Sequence, residues 1–282
     1  MLIALHGVKS HAAMADYRHR RPDGRLVLVL TGTDLYPQPG RVCLESMDLA
    51  DRIVVLHPAA VCDLPPPARQ RAVVIVQSAQ PAADPDAGME PAGGDAGGFQ
   101  VAVVGHLREV KDPLLAAAAA RRLPAASRIT VVHAGGILEP GFHELVRRER
   151  EDNPRYRWLG ELEAEATARL IARSRLMVLS SRSEGGARVV GEAVVNDTPV
   201  LSTRIAATEG LLGTDYPGLF PVGDAGALAA LLQRCEAEPG FLDSLRRRCR
   251  RRAQLFDPVR ERGALVSLVG ELLPDCMKME LS

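Results

Sequence analysis

Apolar positions along this chain fall into short, nearly unbroken runs separated by stretches with helical spacing. The runs "LIALHG" from Leu2, "RLVLVLTG" from Arg25, "RIVVLHP" from Arg52 and "AVVIVQS" from Ala72 are too short for helices of ordinary length. Their density of Val, Ile and Leu suits parallel strands covered on both faces. Between the first two, "SHAAMADYRHRR" reads as a helix. The pattern restarts at "FQVAVVG" from Phe99, and "RITVVHAG", "YRWLG", "LMVLSS" and "TPVLST" follow as strands. In "DPLLAAAAARRL", Asp112 is placed to cap a helix whose first turn holds Pro113. Further helices are expected over 141–151, 163–174 and 187–196, and the tail segments 225–236, 239–253 and 258–273 read as helix throughout. Strand–helix alternation this regular predicts an α/β protein made of doubly wound parallel sheets.

The alternation is interrupted once, by "QPAADPDAGMEPAGGDAGG", which has no periodicity and few large apolar groups. It reads as a flexible linker. The expected organisation is an N-terminal Rossmann-like domain over 1–79, a linker over 80–98, a second Rossmann-like domain over 99–255, and a C-terminal helix and tail over 256–282. Ligands of such sheets sit at the carboxyl ends of the strands, so a cleft between the two domains is the expected site.

Composition narrows the function classes. Zero formal net charge and 4% aromatic residues argue against a nucleic-acid or anionic-membrane surface. The six arginines in "LRRRCRRRA" would spread around a helix and read as solvated charge. Cys43, Cys62, Cys235, Cys249 and Cys276 show no paired spacing, as expected of free thiols. No run approaches the roughly 18 apolar residues of a membrane span, and the N-terminus lacks signal-peptide character. A soluble cytoplasmic protein is expected, and oligomeric state is not legible.

The chemistry concentrates in "SRSEGGARVVGEAVV", where an apolar strand ends in a glycine turn that opens a helix. Gly185 and Gly186 would let the backbone approach a ligand, and the helix starting near Ala187 offers unsatisfied N–H groups to an anion. Glu184 lies on the turn, and Glu192 sits about 8 Å along the helix from Ala187. Two acids flanking an anion site fit a nucleotide sugar held lengthwise. A solvated loop acid beside an ordinary helix-face acid fits the spacing equally well.

The pattern from Glu184 to Glu192 resembles the E-x7-E signature of GT-B glycosyltransferases of the family 4 type. "TPVLSTRIAATEGLLGTDYPGLFPVGD" is similar to the segment that follows it there, and "VVGHLREVKDP" to that family's diphosphate-binding loop. "HGVKSH", "LTGTDLY" and "SMDLADRIVVLHP" look like acceptor-side loops of the N-terminal domain. Taken together, the motifs most resemble the glycosyltransferases of selenoneine biosynthesis, the selenosugar synthases. The resemblance implies transfer of a sugar, N-acetylglucosamine, from a UDP-sugar to selenophosphate or another small acceptor, without a metal or other cofactor. It implies that Glu184 meets the donor sugar and Glu192 the ribose. Arg108 and Lys111 would hold the diphosphate, with Gly105 and His106 in the same loop. Leu159, Gly160 and Glu161 would lie beside the uracil, and Gly185, Gly186, Ala187 and Arg188 along the phosphates. Against the family pattern, His106 replaces a usual arginine, Arg188 adds charge to a helix's first turn, and no strand and Gly-rich loop precede "LIALHG", so either the sequence begins late or an N-terminal domain without its first strands is expected.

His6 and His11 could serve as general bases or bind an anionic acceptor, but a strand-end histidine bonded to backbone is the plainer reading. Lys9 could attract the acceptor, and Asp34 could stand at the acceptor site or cap its own turn. "DPD" at 84–86 matches a metal-binding D-x-D but falls in the linker, so it is read as chance. Three alternatives remain at this point: a related glycosyltransferase with another acceptor, a nucleotide-sugar epimerase or hydrolase, and a non-catalytic nucleotide-binding protein.

Overall fold

A computed structural model describes residues 1–84 and 98–274. Most of the expected linker, Pro85 and Asp86 of the D-x-D match, Cys276 and the end of the expected tail lie outside the described residues. The chain divides into two units: Met1–Ser78 with Ser183–Arg188 and Gln254–Ser282, and Ala79–Arg182 with Val189–Ala253.

In the first unit the elements run β1 (Leu2–Leu5), α1 (His11–Arg20), β2 (Leu26–Val29), α2 (Arg41–Leu49), β3 (Arg52–Val55), α3 (Ala60–Asp63), α4 (Pro66–Arg69) and β4 (Ala72–Val74). The strands pair in parallel in the order β1-β2-β3-β4, with Leu2 opposite Leu26, Val27 opposite Arg52 and Ile53 opposite Ala72. Side chains alternate between the sheet's two faces, so a strand buried on both can be apolar throughout. Leu26, Leu28, Ile53 and Val55 meet Met14 of α1 and Cys43 and Met47 of α2 on one face. Val27, Val54, Leu56 and Ile75 meet two leucines of the C-terminal helix on the other. Helix α2 was not expected, and "SMDL", read as part of a loop, lies on it. Its buried residues are Cys43, Ser46 and Met47, a helical spacing in which a serine occupies a core position.

The second unit contains β5 (Phe99–Val104), α5 (Leu115–Ala120), β6 (Ile129–Ala134), α6 (Phe142–Asp152), β7 (Tyr156–Gly160), α7 (Ala164–Arg173), β8 (Leu176–Leu179), α8 (Arg188–Val195), β9 (Val200–Thr203), α9 (Ala206–Leu212), β10 (Leu219–Phe220), α10 (Ala225–Ala237) and α11 (Pro239–Arg252). Arg188, the first residue of α8, groups with the first unit. The strands pair in parallel in the order β10-β9-β8-β5-β6-β7. The winding reverses between β5 and β8, which makes that boundary the topological switch point. Asp112 does not cap a helix: it ends a 3-10 turn in left-handed backbone (φ 43°), and α5 begins at Leu115. Its carboxylate instead pairs with Arg182 at 3.2 Å, which ties this turn to the end of β8.

Four of the arginines expected to be solvated charge make specific bonds. Arg250 grips both oxygens of Asp197 at 2.5 Å, Arg248 pairs with Asp215 at 2.7 Å, and Arg246 with Asp243 at 2.8 Å. Arg252 reaches the Leu212 carbonyl at 3.4 Å. The row thus fastens α11 to the turns after α8 and α9.

The final helix, α12 (Pro258–Leu272), belongs to the first unit. Asp257 caps it by accepting from the Val259 N–H at 2.8 Å, with Pro258 in the first turn. Ala264, Leu268 and Leu272 recur every fourth residue and close the second face of the β1–β4 sheet. Among the described residues no helix is long and apolar enough to cross a membrane.

Candidate active site

In a doubly wound sheet, the crevice at the switch point opens at the carboxyl ends of the strands. Here it is lined by Val103, Gly105, Lys111, His133, Leu179 and Ser180, among others. The loop leaving β5 carries Gly105, His106, Arg108 and Lys111, and side chains of neighbouring strands fasten it at both ends. At its far end, the Ser180 hydroxyl lies 3.0 Å from the Lys111 carbonyl and 2.9 Å from that of Asp112, and the Arg182 N–H donates to the Val110 carbonyl at 2.8 Å. At its near end, the buried His133 ring lies 2.9 Å from the Gly105 carbonyl and 2.8 Å from the Tyr156 hydroxyl. Burial pushes His133 from 6.5 down to about 4, against the opposing pull of the Gly105 carbonyl, so the ring is neutral at physiological pH. Gly135 must be glycine because a side-chain carbon there would collide with the Gly105 carbonyl.

Within this loop the Arg108 Nε is buried and has no hydrogen-bond partner among the described residues. A buried guanidinium donor left unpaired is costly, and an anion would satisfy it. The His106 Nδ1 accepts from the Gly136 N–H at 3.1 Å, which leaves its ring hydrogen on Nε2. Leu159 and Gly160 end β7, where the Gly160 carbonyl accepts from the Gly135 N–H at 2.7 Å. The Glu161 carboxylate lies over Gly136 beside His106. Gly105, His106, Gly160 and Glu161 therefore gather at the ends of β5, β6 and β7. Trp158 adds a bond from its indole N–H to the Gly135 carbonyl at 2.8 Å. Glu192 is half-buried in α8.

The first unit gathers the acceptor-side candidates. Asp34, 2% exposed, accepts from three backbone N–H groups: Gly7 at 2.8 Å, Thr31 at 3.0 Å and Gly32 at 2.8 Å. It pins the loop after β1 to the loop after β2, which is the turn-capping alternative. His6 sits in left-handed backbone (φ 71°), and its Nδ1 accepts from the Val8 and Lys9 N–H groups at 3.2 and 3.3 Å. The ring hydrogen is therefore on Nε2, which donates to the Thr33 hydroxyl at 3.1 Å. The 3.8 Å approach of His6 to Asp34 is accordingly no ion pair. His11 opens α1 and lies 2.8 Å from the Ser46 hydroxyl, whose own hydrogen is spent on a carbonyl of Gly7 or Val42, so His11 Nδ1 is the donor. Lys9 is exposed.

Glu184, Gly185 and Gly186 lie half-buried in the segment that groups with this unit. Gly185 and Gly186 were expected to admit a ligand, but here the approaching groups are the protein's own. A side-chain carbon on Gly185 would overlap the Thr31 carbonyl and come within 2.7 Å of the Gly32 nitrogen. One on Gly186 would meet Gln77 at 2.5 Å and Leu56 at 3.0 Å. Ala187 holds positive φ (40°), and Arg188 is exposed at the first position of α8.

Sequence reasoning missed Ser180, His133 and Tyr156, and in the first unit His57. His57 is fully buried, accepts from the Ala60 N–H at 3.2 Å, and lies 3.2 Å from the Tyr36 hydroxyl, which donates to Asp63 at 2.8 Å. Burial lowers His57 to about 4. A histidine inside or just after an apolar run was the available signal for both rings. Among the described residues, no group of three or more His, Cys, Asp or Glu side chains could hold a metal ion.

Residues 90–256, more than half of the chain, match the family described as Glycosyl transferases group 1. The chain is a group 1 glycosyltransferase. No curated protein matches it. Among solved structures, this glycosyltransferase is similar to HepE of Anabaena, crystallised with UDP and glucose, at 19% identity and TM-score 0.77 over 95% of this chain and 78% of HepE. It is also similar to sucrose-phosphate synthase of Thermosynechococcus elongatus, at 19% identity and TM-score 0.77 over 96% of this chain and 73% of that one. A glycosyltransferase of Rickettsia africae aligns at 14% identity and TM-score 0.66, over 95% and 82% of the two chains. What is shared at such identities is the fold, GT-B, with its two parallel-sheet Rossmann-like units.

Proposed function

We propose that this glycosyltransferase takes its sugar from a UDP-sugar and passes it to a small anionic acceptor. N-acetylglucosamine and selenophosphate are the pair its motifs resemble most, giving a selenosugar whose selenium still carries the acceptor's phosphoryl group. The observation that carries the donor half is the buried Arg108 Nε, without a partner among the described residues, in a loop fastened at the switch point, three residues from Lys111. HepE, which shares the fold, is seen with UDP and with UDP-glucose. Arg108 and Lys111 would face the diphosphate, with His106 beside them and Glu161, Gly160 and Leu159 toward the base. Glu192 would meet the ribose, and Glu184 the sugar.

In the transfer, a selenium lone pair of the acceptor forms the new bond to the anomeric carbon. The bond from that carbon to the β-phosphate oxygen breaks, and UDP leaves with the electron pair. Charge grows on the leaving diphosphate, so Arg108 and Lys111 supply the dominant stabilisation, in place of a metal. A selenium nucleophile is already anionic and needs no strong base. The bonding of His6 agrees, since its one lone pair is occupied by two backbone amides. His6 and His11 then shape the acceptor pocket and Lys9 brings positive charge to it, with Asp34 holding its loops.

Incubation with UDP-N-acetylglucosamine, with and without selenophosphate, tests this reading through UDP release. Release is expected only when the acceptor is present. Acceptor-independent release would identify a hydrolase, and UDP binding without any release a binding protein. Loss of turnover on removing His6 or His11, with donor binding intact, would overturn the base-free step.

A further inference from the structure

His133 lies on β6 and lines the crevice at the switch point, and none of its surface reaches solvent. Both ring nitrogens are engaged. The Tyr156 hydroxyl is at 2.8 Å from Nδ1, and the Gly105 carbonyl at 2.9 Å from Nε2. A carbonyl only accepts, so Nε2 carries the hydrogen and donates it, and Nδ1 accepts from the Tyr156 O–H. The chain of donors runs Tyr156 to His133 to Gly105, across three neighbouring strands. It ends on the first residue of the loop that bears His106, Arg108 and Lys111.

A buried histidine in the middle strand of such a trio is costly unless both nitrogens are satisfied. A valine or leucine would fill the space at no polar cost, as neighbours Val131 and Val132 do at 0% exposed. What the imidazole adds is a directional donor to one particular carbonyl. The orientation of that carbonyl fixes the plane of the peptide joining Gly105 to His106, because the peptide unit is rigid. Gly135, without a side chain, leaves room for the carbonyl to sit where the ring can reach it.

We infer that His133, oriented by Tyr156, is a positioning residue that presets the Gly105–Lys111 loop for the diphosphate of the donor. The inference rests on the proposed donor reading. His133 does not touch the donor. It acts through the Gly105 carbonyl, while Ser180 fastens the loop's other end through the Lys111 and Asp112 carbonyls. A loop held at both ends loses little further conformational freedom when an anion binds, and preorganisation of this kind appears as affinity.

The test uses the full chain as wild type, His133→Leu, His133→Gln and Tyr156→Phe. Each is titrated with UDP, and hydrogen exchange of the 105–111 amides is followed in its absence. His133→Leu should weaken UDP binding by about tenfold, the worth of one hydrogen bond, and speed exchange in the loop. His133→Gln, whose amide can donate to Gly105 and accept from Tyr156, should restore both. Tyr156→Phe should fall between, and it carries the test if His133→Leu does not fold. In a steady-state assay the loss should appear in the KM for donor and leave the KM for acceptor unchanged.

Wild-type affinity and exchange in His133→Leu would overturn the inference. So would a His133→Gln protein that melts normally yet binds as weakly as His133→Leu. If wild type itself does not bind UDP, the donor reading fails instead. Exchange then still decides whether His133 orders the loop: acceleration rescued by glutamine supports it, and no acceleration refutes it.

Discussion

Replacing Asp34 with alanine separates a structural pin from a catalytic group. The carboxylate is 2% exposed and accepts from the Gly7, Thr31 and Gly32 N–H groups at 2.8, 3.0 and 2.8 Å. Hydrogen bonds to a charged acceptor contribute about 1.5–3 kcal/mol each, and a buried donor left bare costs about 1–3 kcal/mol. Three of them would sum to about 4.5–9 kcal/mol, but water entering the space vacated by the side chain recovers part. The expected net loss for Asp34→Ala is therefore about 3–5 kcal/mol, a large share of a typical total of roughly 5–15 kcal/mol. Asp34→Asn should cost less, about 2 kcal/mol, because one oxygen remains and only the Gly7 N–H faces a donor.

Urea unfolding followed by far-UV circular dichroism reads the stability, and hydrogen exchange at the Gly7, Thr31 and Gly32 amides reads the pin itself. Asp34→Ala within about 1 kcal/mol of wild type, with those amides still protected, would refute the bookkeeping. The same pair of variants decides the chemistry. Removing a general base costs about 100-fold or more in turnover. If Asp34→Asn loses that much while remaining as stable as wild type, Asp34 works on the substrate and the pin reading is wrong.

Other perturbations follow from the same geometry. Gly185→Ala would drive a methyl group into the Thr31 carbonyl and the Gly32 backbone, so thermal unfolding should show a loss of about 1–3 kcal/mol or more. An unchanged melting curve would mean that the approach is relaxed in solution. Arg108→Ala should weaken UDP binding about tenfold or more and flatten its salt dependence while leaving the fold intact, since its Nε has no partner among the described residues. Calorimetric titration at two salt concentrations checks both effects. His57 and His133 are held at about 4 by burial, against 6.5 when free. Between those values the unfolded chain binds protons that the folded one refuses, so stability is complete above pH 6.5 and falls as pH drops toward 4. The loss is at most roughly 3 kcal/mol per ring, and His133→Gln should remove its share from the slope of urea stability against pH.

Much of the α/β framework was legible because parallel strands covered on both faces leave an unmistakable mark. "LVLV" and "LMVL" are apolar at every position, as strands covered on both faces are, and both are strands, β2 and β8. What escaped had no such mark. Helix α2 hides because Cys43 and Ser46 hold positions where large apolar residues would have shown the period. Strand β10 is two residues long and exists only through its pairing with β9. The Asp112–Pro113 pair has every local property of a helix start, yet tertiary bonds from Ser180 and Arg182 turn it into the end of a 3-10 turn.

The site divides along the same physical line. Residues at strand ends, such as Gly105 and Gly160, were singled out by the resemblance, and the fold brings them together because strand ends gather at one edge of the sheet. The groups that orient them could not. His133 follows two valines in "VVHAG" and reads there as one more strand position, and its role appears only when β5 and β7 bring Gly105 and Tyr156 to its two nitrogens. Asp34 is the converse: its sequence context admitted both a chemical and a structural role, and three amides from two separate loops favour the structural one. A polar side chain declares its chemistry through its partners, and partners distant in sequence are what a one-dimensional pattern leaves out.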